Sequence, residues 1–274
     1  MRKMIDIEGL CHRYSNNVLA LDDVDLHINK GEFVAIIGGN GSGKSTLVRH
    51  MNALLMPAEG TVYVCGMDTR DMANTWTIRR KVGMVFQDPL TQFVGATLLE
   101  DVAFGLENLA CSQSEIRQRV DRILEEMDLI PFCDSSPLDM SGGQMQNAAI
   151  AGVLSMDPEC IVLDEVTSML DTTSRSRVLQ VVEHFHQQGI AIVHVTHRLD
   201  EIFHADRVVV MDDARIVFEG NPADVFENTT LGNIGLDVPP LIELAGRLKQ
   251  AGMLSGEISL SSISAMGEGI CRSI

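Results

Sequence analysis

The run GGNGSGKST, at residues 38–46, constrains this chain more than any other feature. It fits the pattern G-x-x-x-x-G-K-[ST], in which glycines let the backbone fold tightly enough for successive N–H groups to face phosphate oxygens. The apolar run FVAII precedes it and apolar residues at helical spacing follow it, so the loop joins a strand to the positive N-terminal end of a helix. This placement predicts a nucleotide polyphosphate site rather than a flexible Gly/Ser loop.

The loop residues have different expected roles. Lys44 would supply a full positive charge to the β and γ phosphates, and the hydroxyl of Ser45 would bind Mg²⁺. The other residues of the loop are expected to line the nucleotide, namely Gly38, Gly39, Asn40, Gly41, Ser42, Gly43 and Thr46.

A second motif, CIVLDEVTSMLD, spans residues 160–171. Four apolar residues lead into Asp164 and Glu165 at the carboxyl end of a strand, where α/β sheets bind ligands. Asp164 would hold Mg²⁺, and Glu165 would polarise an attacking water beside the γ-phosphate. Alone, the pair could equally be an acidic strand end at the surface, but a phosphate loop in the same chain favours the nucleotide site.

A third motif, LDMSGGQMQNAAIAGVL, opens a predicted helix at residues 138–154. Ser141 and Gln144 have capping-box spacing, and Gly142 and Gly143 leave backbone N–H groups accessible to an anion. In isolation an ordinary helix cap would be the better interpretation.

Composition limits the classes of partner. The 274 residues predict one large domain or one domain with subdomains, and 38 acidic against 21 basic residues give a net charge of −17. Such a surface disfavours nucleic acid and anionic lipid as general partners, although a local basic groove stays possible. Six scattered cysteines without a C-x-x-C pair favour reduced thiols over disulfides or zinc. We expect neither a signal peptide nor a transmembrane helix, because no apolar run approaches about 18 residues.

The hydrophobic pattern predicts an α/β chain. Val24, Leu26 and Ile28 alternate with polar residues in a strand of an N-terminal antiparallel sheet, and residues 61–68 have a similar pattern. Capping boxes at Thr97 and Ser112 open helices within a helical stretch at about 90–155. Apolar strands of a parallel sheet are expected at 160–164, 189–197 and 207–212, the last in a hairpin.

Together these motifs resemble the nucleotide-binding subunit of ABC transporters over about residues 3–225. Residues 38–45 match the family's phosphate loop, 141–144 its signature and 161–164 its second nucleotide motif. The resemblance makes Glu165 the catalytic base and ATP with Mg²⁺ the ligands.

The same resemblance implies roles for four more residues. His197 is similar to the family's switch histidine, which contacts the γ-phosphate. Gln87 is similar to the glutamine that links the nucleotide to the transmembrane partner, which makes it an expected catalytic residue and ligand of Mg²⁺. Tyr14 resembles the aromatic that stacks on adenine, and Asp171 ends the loop that crosses the dimer interface. Taken singly, His197 would more often be structural, Gln87 a surface residue and Tyr14 a core or edge aromatic.

The resemblance also implies the fold: a P-loop NTPase core with a mostly parallel sheet, an N-terminal antiparallel β subdomain and an inserted helical subdomain. Residues 1–222 would form this domain, and 223–274 a C-terminal helical extension with a polar tail. One subunit would hold half of each ATP site, so a second ATP-binding subunit, identical or different, is the first expected partner.

A narrower likeness comes from FQDPLTQFVGATLLEDVAFGLEN (86–108) and LDEVTSMLD (163–171). These segments are similar to the first of the paired ATPases of energy-coupling factor (ECF) importers for vitamins and transition metals. The likeness implies an integral membrane coupling subunit and a substrate-binding membrane subunit as partners. The chain would then be a peripheral protein at the cytoplasmic face of the membrane, without inserting into it.

Two alternatives remain at this stage. A soluble ABC ATPase acting on nucleic acid or ribosomes usually has two fused cassettes or long insertions, whereas this chain has one acidic cassette. A non-hydrolysing regulatory subunit would be expected to lack Glu165 or His197. The chain also departs from the family after the signature, where Met145 and Asn147 replace a usual basic residue and a usual arginine, and this puts the packing of that helix in doubt.

Overall fold

The computed structural model of the chain describes residues 3–227. Most of the predicted C-terminal extension, including the helix expected at 239–252, therefore lies outside the described residues. The strands are β1 Lys3–Arg13, β2 Leu19–Asn29, β3 Phe33–Gly38, β4 Glu59–Val64, β5 Met67–Asp68, β6 Val82–Val85, β7 Cys160–Asp164, β8 Ala191–Thr196, β9 Arg207–Asp212 and β10 Arg215–Gly220. The α-helices are α1 Lys44–Met51, α2 Thr75–Lys81, α3 Leu98–Asn108, α4 Gln113–Glu126, α5 Gly142–Leu154, α6 Thr172–Gln187 and α7 Pro222–Glu227.

The N-terminal strands form the predicted antiparallel sheet, in the order β2-β1-β4-β5. Val24, Leu26 and Ile28 are buried while the residues between them are exposed, so the period-two prediction is confirmed. The prediction of one strand over residues 61–68 is wrong. Cys65 and Gly66 both have positive φ, and they turn the chain into a hairpin in which β4 pairs with the two-residue β5.

A second sheet has six strands in the order β10-β9-β3-β8-β7-β6, all parallel except β10. Alternate residues of β3 enter different cores. Phe33, Ala35 and Ile37 pack with the helical residues from 98 to 154, while Val34 and Ile36 pack with α1 and the antiparallel sheet. Both faces of the sheet are covered, which explains why its central strands are apolar without alternation.

The inserted region consists of α3, α4 and α5, as the helical pattern predicts. Thr97 caps α3 and Ser112 caps α4, each in a capping box with the glutamate three residues later. Val120, Ile123 and Leu124 bury the predicted apolar face of α4. Within residues 3–227, every helix is too short or too polar to span a lipid bilayer.

The topology fixes where a ligand can bind. Strands β3, β7 and β8 are parallel neighbours, so their carboxyl ends meet at one edge of the sheet. The phosphate loop follows β3, Glu165 follows β7 and His197 follows β8. Three motifs that are far apart in the chain therefore meet at one edge, as expected for ligand sites in α/β sheets.

Candidate active site

The phosphate loop runs from the end of β3 into α1, and its geometry depends on Gly43. Gly43 has φ +103°, a left-handed conformation, and a Cβ there would lie 2.3 Å from the carbonyl oxygen of Ala20. Any other residue would both strain the backbone and collide with it. As the N-cap of α1, Gly43 also provides no side-chain acceptor, so the first N–H groups of the helix remain available to an anion.

Lys44 lies inside the loop that it is expected to serve. Its ammonium donates hydrogen bonds of 2.9 Å to the carbonyls of both Gly38 and Gly39, and the side chain is only 4% exposed. Burial lowers the pKa of Lys44, while the carboxylates of Glu165 and Asp164 oppose that shift. The loop thus holds a buried cation at its centre.

The residues predicted to hold Mg²⁺ come together. The hydroxyl of Ser45 donates a 2.8 Å hydrogen bond to Asp164 Oδ1, and both residues line one cavity with Gln87, Arg49 and Asp88. Burial raises the pKa of Asp164, and the hydrogen bond from Ser45 acts against that rise. A hydroxyl, a carboxylate and an amide are oxygen donors that suit a hard divalent cation. These residues therefore fit Mg²⁺, whose charge would stabilise the ionised form of Asp164.

Glu165 occupies the centre of the site. One carboxylate oxygen lies 3.8 Å from the Lys44 ammonium, and the other lies 3.8 Å from Nδ1 of His197. The residue has φ +53°, which is unusual for a side chain with a Cβ, and its N–H donates to the carbonyl of Val195. The predicted base and the predicted switch histidine are thus direct neighbours across the ends of β7 and β8.

Gln87 and Tyr14 border the site on different sides. Gln87 Nε2 donates a 3.1 Å hydrogen bond to the hydroxyl of Ser168, within the loop predicted to cross a dimer interface. Tyr14 is 36% exposed, and its hydroxyl shares a 3.0 Å hydrogen bond with Thr46, two residues after Lys44. This leaves the Tyr14 ring beside the phosphate loop, where a stacked base would extend from bound phosphates.

The signature residues form the helix cap that their spacing predicts. Ser141 and Gln144 make a reciprocal capping box at the start of α5. A Cβ on Gly143 would lie 2.6 Å from the side chain of Ser174 in α6. In this chain Asp171 caps α6 by accepting from the N–H groups of residues 173 and 174. The signature therefore packs against the start of α6, and its role at a nucleotide stays a prediction.

Sequence reasoning overlooked several groups near this site. Arg49 lines the metal cavity from α1, and Glu201 is a fully buried carboxylate in the 3₁₀ segment Leu199–His204 that follows β8. Thr167, also buried, donates a hydrogen bond to Glu201. The only available signal was an acidic residue four positions after His197, which is indistinguishable from a surface charge without the fold.

Comparison with known proteins decides the family. The family model described as ABC transporter matches residues 21–168. The chain belongs to the ABC transporter family. It is 49% identical to the energy-coupling factor transporter ATP-binding protein EcfA of Methanosarcina acetivorans, over 98% of both chains. It is 48% identical to EcfA1 of Clostridium novyi over 91% of each chain, so the narrower likeness to ECF ATPases is also confirmed.

Solved structures of ABC ATPases share the fold. Against cbiO1 of Clostridium perfringens, described as part of the ABC transporter complex cbiONQ, the TM-score is 0.78 with 33% identity over 90% of this chain and 100% of that one. A dimeric post-hydrolysis form of the ATP-binding cassette MJ0796, bound to ADP and Pi, gives 0.73 with 32% identity over 80% and 99%. The predicted fold class is therefore confirmed.

Proposed function

We propose that this chain is the ATP-hydrolysing subunit of an ECF-type importer and that it works as half of an ATP-binding dimer. The central observation is the carboxylate of Glu165, which lies 3.8 Å from both the Lys44 ammonium and the His197 ring at the ends of adjoining strands. A base, a cation for phosphate and a γ-phosphate sensor are the groups that hydrolysis of a phosphoanhydride requires. The near full-length similarity to ECF ATP-binding proteins supplies the transport context.

The phosphate loop would bind the triphosphate through charge that is already in place. Lys44 would exchange its bonds to the carbonyls of Gly38 and Gly39 for bonds to the β and γ phosphates. Mg²⁺ held by Ser45, Asp164 and Gln87 would neutralise charge on the phosphate oxygens. The ring of Tyr14 would then stack on the adenine.

The hydrolytic step would use the two residues that follow β7 and β8. Glu165 would accept a proton from the water that attacks the γ-phosphorus, as that water adds and the bridging oxygen leaves with the β-phosphate. His197 would hydrogen-bond the γ-phosphate and keep it in line with the water. Because the side chain of Glu165 is only 14% exposed, few competing water positions surround it.

A complete site would need a second ATP-binding subunit. The signature at residues 141–144 opens α5, and in this chain its glycines face α6 and the crossing loop. We infer that the signature of one subunit covers the phosphate loop of another. The dimeric state described for the MJ0796 cassette supports this arrangement. The negative γ-phosphate would then lie between two positive helix N-termini, that of α1 in one subunit and that of α5 in the other. Hydrolysis would remove this bridge and let the two subunits separate.

Motion would reach the membrane through the segment after Gln87. A mainly apolar cavity lies between this segment, α3 and α5. Phe86, Phe104, Val153 and Met156 line it, and Asp101 adds one carboxylate. Phe104 is 42% exposed there, so part of its apolar ring is open to a partner. We infer that a membrane coupling subunit docks in this cavity at the cytoplasmic face, and that a substrate-binding membrane subunit completes the complex.

Isolation of the tagged full-length chain from detergent-solubilised membranes, followed by phosphate-release assays, tests the proposal. The expected result is co-isolation of polytopic membrane proteins and an ATP-binding subunit, with MgATP hydrolysis by the complex. Co-isolation of RNA or ribosomal proteins would contradict the importer assignment. ATP binding without any phosphate release by the intact complex would contradict the catalytic assignment.

A further inference from the structure

Glu201 is a buried carboxylate for which the proposed reaction has no direct use. It has no exposed surface, although it lies in the short 3₁₀ segment Leu199–His204. One oxygen, Oε2, accepts three hydrogen bonds: 2.9 Å from Thr167, 2.7 Å from Thr196 and 2.9 Å from Nε2 of His194. A buried charge held by several donors at once fixes the relative positions of those donors.

Two arginines face the other carboxylate oxygen. Nε of Arg198 lies 3.6 Å from Glu201 Oε1, and Nε of Arg175 lies 3.7 Å from the same atom. Burial acts to raise the pKa of Glu201, but the hydrogen bonds from His194, Thr196 and Thr167 outweigh it and lower the pKa to about 2. The lowered pKa favours the ionised carboxylate at neutral pH, and the two arginines add positive charge on its other side.

The donors to Glu201 belong to two functional segments. Thr167 lies two positions after the candidate base and directly precedes the crossing loop, residues 168–171. Thr196 is the last residue of β8 and directly precedes His197. Arg175 adds a further link, because it also donates a hydrogen bond to the carbonyl of Leu170 near the end of the crossing loop.

The same loop continues the network toward Gln87. Ser168 follows Thr167, accepts the hydrogen bond from Gln87 and donates its own hydroxyl to the carbonyl of Glu165. Hydrogen bonds, joined by the peptide link between Thr167 and Ser168, thus connect the glutamine of the metal cavity with the end of β8, directly before His197. Glu201 is the buried anion at which the loop and the strand join.

We propose that Glu201 is a positioning residue that holds the crossing loop and His197 in one fixed arrangement. Glu165 and His197 can then both act on the same γ-phosphate. Glu201 is not among the residues that line the candidate phosphate loop or metal cavity, and it acts through the side chains that it holds, chiefly Thr167 and Thr196. The inference rests on the proposed function, because it assumes that Glu165 and His197 carry out hydrolysis. A misplacement of about 1 Å in such a pair costs about 100-fold in rate.

The first test compares Glu201→Gln with Glu183→Gln in the full-length chain and the partners that co-isolate with it. Glu183 is the matched control, because its carboxylate pairs with His204 at the end of the same 3₁₀ segment but on the surface. For Glu201→Gln we expect kcat to fall about 10- to 100-fold, with ATP affinity changed less than about threefold. Glu183→Gln should leave both quantities unchanged.

A double-mutant cycle separates positioning from general damage. In a His197→Ala background, Glu201→Gln should lower kcat far less than it does in the native chain, because the residue being positioned is already absent. Full additivity of the two losses would overturn the proposal. An equal fall in kcat and ATP affinity would also overturn it, since that pattern indicates a folding defect.

Thr167 provides a second route should Glu201→Gln fail to fold. Thr167→Ser keeps the hydroxyl that donates to Glu201 and should retain activity, whereas the isosteric Thr167→Val should reproduce the loss in kcat. Equal activity of these two variants would overturn the proposal. Glu165→Gln separates a failure of this inference from a failure of the proposed function. Normal hydrolysis by Glu165→Gln would overturn the proposed function itself. Loss of hydrolysis in Glu165→Gln, with full activity in the Glu201 and Thr167 variants, would overturn only this inference.

Discussion

Replacing Glu165 with glutamine tests the candidate base with the least disturbance to the site. Gln has the same shape but cannot accept a proton, and the neighbouring atoms of Lys44 and His197 lie 3.8 Å away, outside hydrogen-bond distance. No close hydrogen bond of the Glu165 side chain to these groups is therefore broken. The left-handed backbone at residue 165 is retained, because its N–H still donates to Val195.

The expected effects on binding and on chemistry have different sizes. Loss of a general base lowers the rate about 10²- to 10⁴-fold, which corresponds to roughly 2.7–5.4 kcal/mol in the barrier. Glu165 also attracts Lys44, and a unit charge pair at such a distance is worth about 4 kcal/mol at an effective dielectric constant near 20. Removing that attraction frees the Lys44 ammonium to bind phosphate. It also removes the repulsion between the Glu165 carboxylate and the γ-phosphate. We therefore expect ATP affinity to be equal or tighter while kcat falls.

Single-turnover phosphate release and equilibrium binding of ATP to the assembled complex measure the two effects separately. Glu183→Gln serves again as the control, since it makes the same chemical change at an exposed ion pair. Turnover within tenfold of the native complex would show that another group accepts the proton. Weaker ATP binding with an unchanged single-turnover rate would place Glu165 among the binding residues instead.

Three further variants test other parts of the proposal. Lys44→Ala removes the buried cation of the phosphate loop and should weaken ATP binding by about 2 kcal/mol or more, roughly 30-fold, in an equilibrium titration; unchanged affinity would contradict the assigned site. Phe104→Asp puts a charge in the apolar cavity and should reduce recovery of membrane subunits about tenfold or more, whereas Trp76→Asp, at a 69% exposed position on α2, should not. Asn147→Arg restores the family's usual charge on α5, the helix that packs against the Pro89–Thr91 turn. It should alter partner-stimulated ATPase activity with little change in ATP affinity, and the opposite pattern would place Asn147 at the nucleotide.

Features with a local cause could be predicted from the sequence. The phosphate loop and all three capping boxes depend on residues within a few positions of one another, and the structure has each of them. The hairpin within residues 61–68 was missed because the alternation at Val62 and Val64 favours one strand and β5 is only two residues long. Only the positive φ at Cys65 and Gly66 ends β4, and nothing in the pattern marks Cys65 for that conformation.

Contacts between distant segments could not be predicted in the same way. The Glu201 network joins residues from the segment between β7 and α6, from β8 and from α6. None of these residues belongs to a local sequence motif that predicts the contact. The departure at Asn147 shows the same limit. Its Oδ1 is buried without a hydrogen-bond partner, and the helix that carries it packs against the turn Pro89–Thr91, just after Gln87. The sequence predicted that Asn147 lies near the inserted helices or the segment around Gln87, but it gave no sign of the buried amide oxygen without a partner.

The backbone at Glu165 explains how adjacent acidic residues can serve one site. In an extended strand, successive side chains point to opposite faces, so Asp164 and Glu165 would point away from each other if β7 continued. The φ of +53° ends the strand and turns the second carboxylate to the same side, where Asp164 accepts from Ser45 and Glu165 approaches Lys44. A left-handed residue with a Cβ costs about 1–2 kcal/mol, and the hydrogen bond from its N–H to Val195 offsets part of that. The strained residue therefore lets the candidate metal ligand and the candidate base face the same side of the sheet edge.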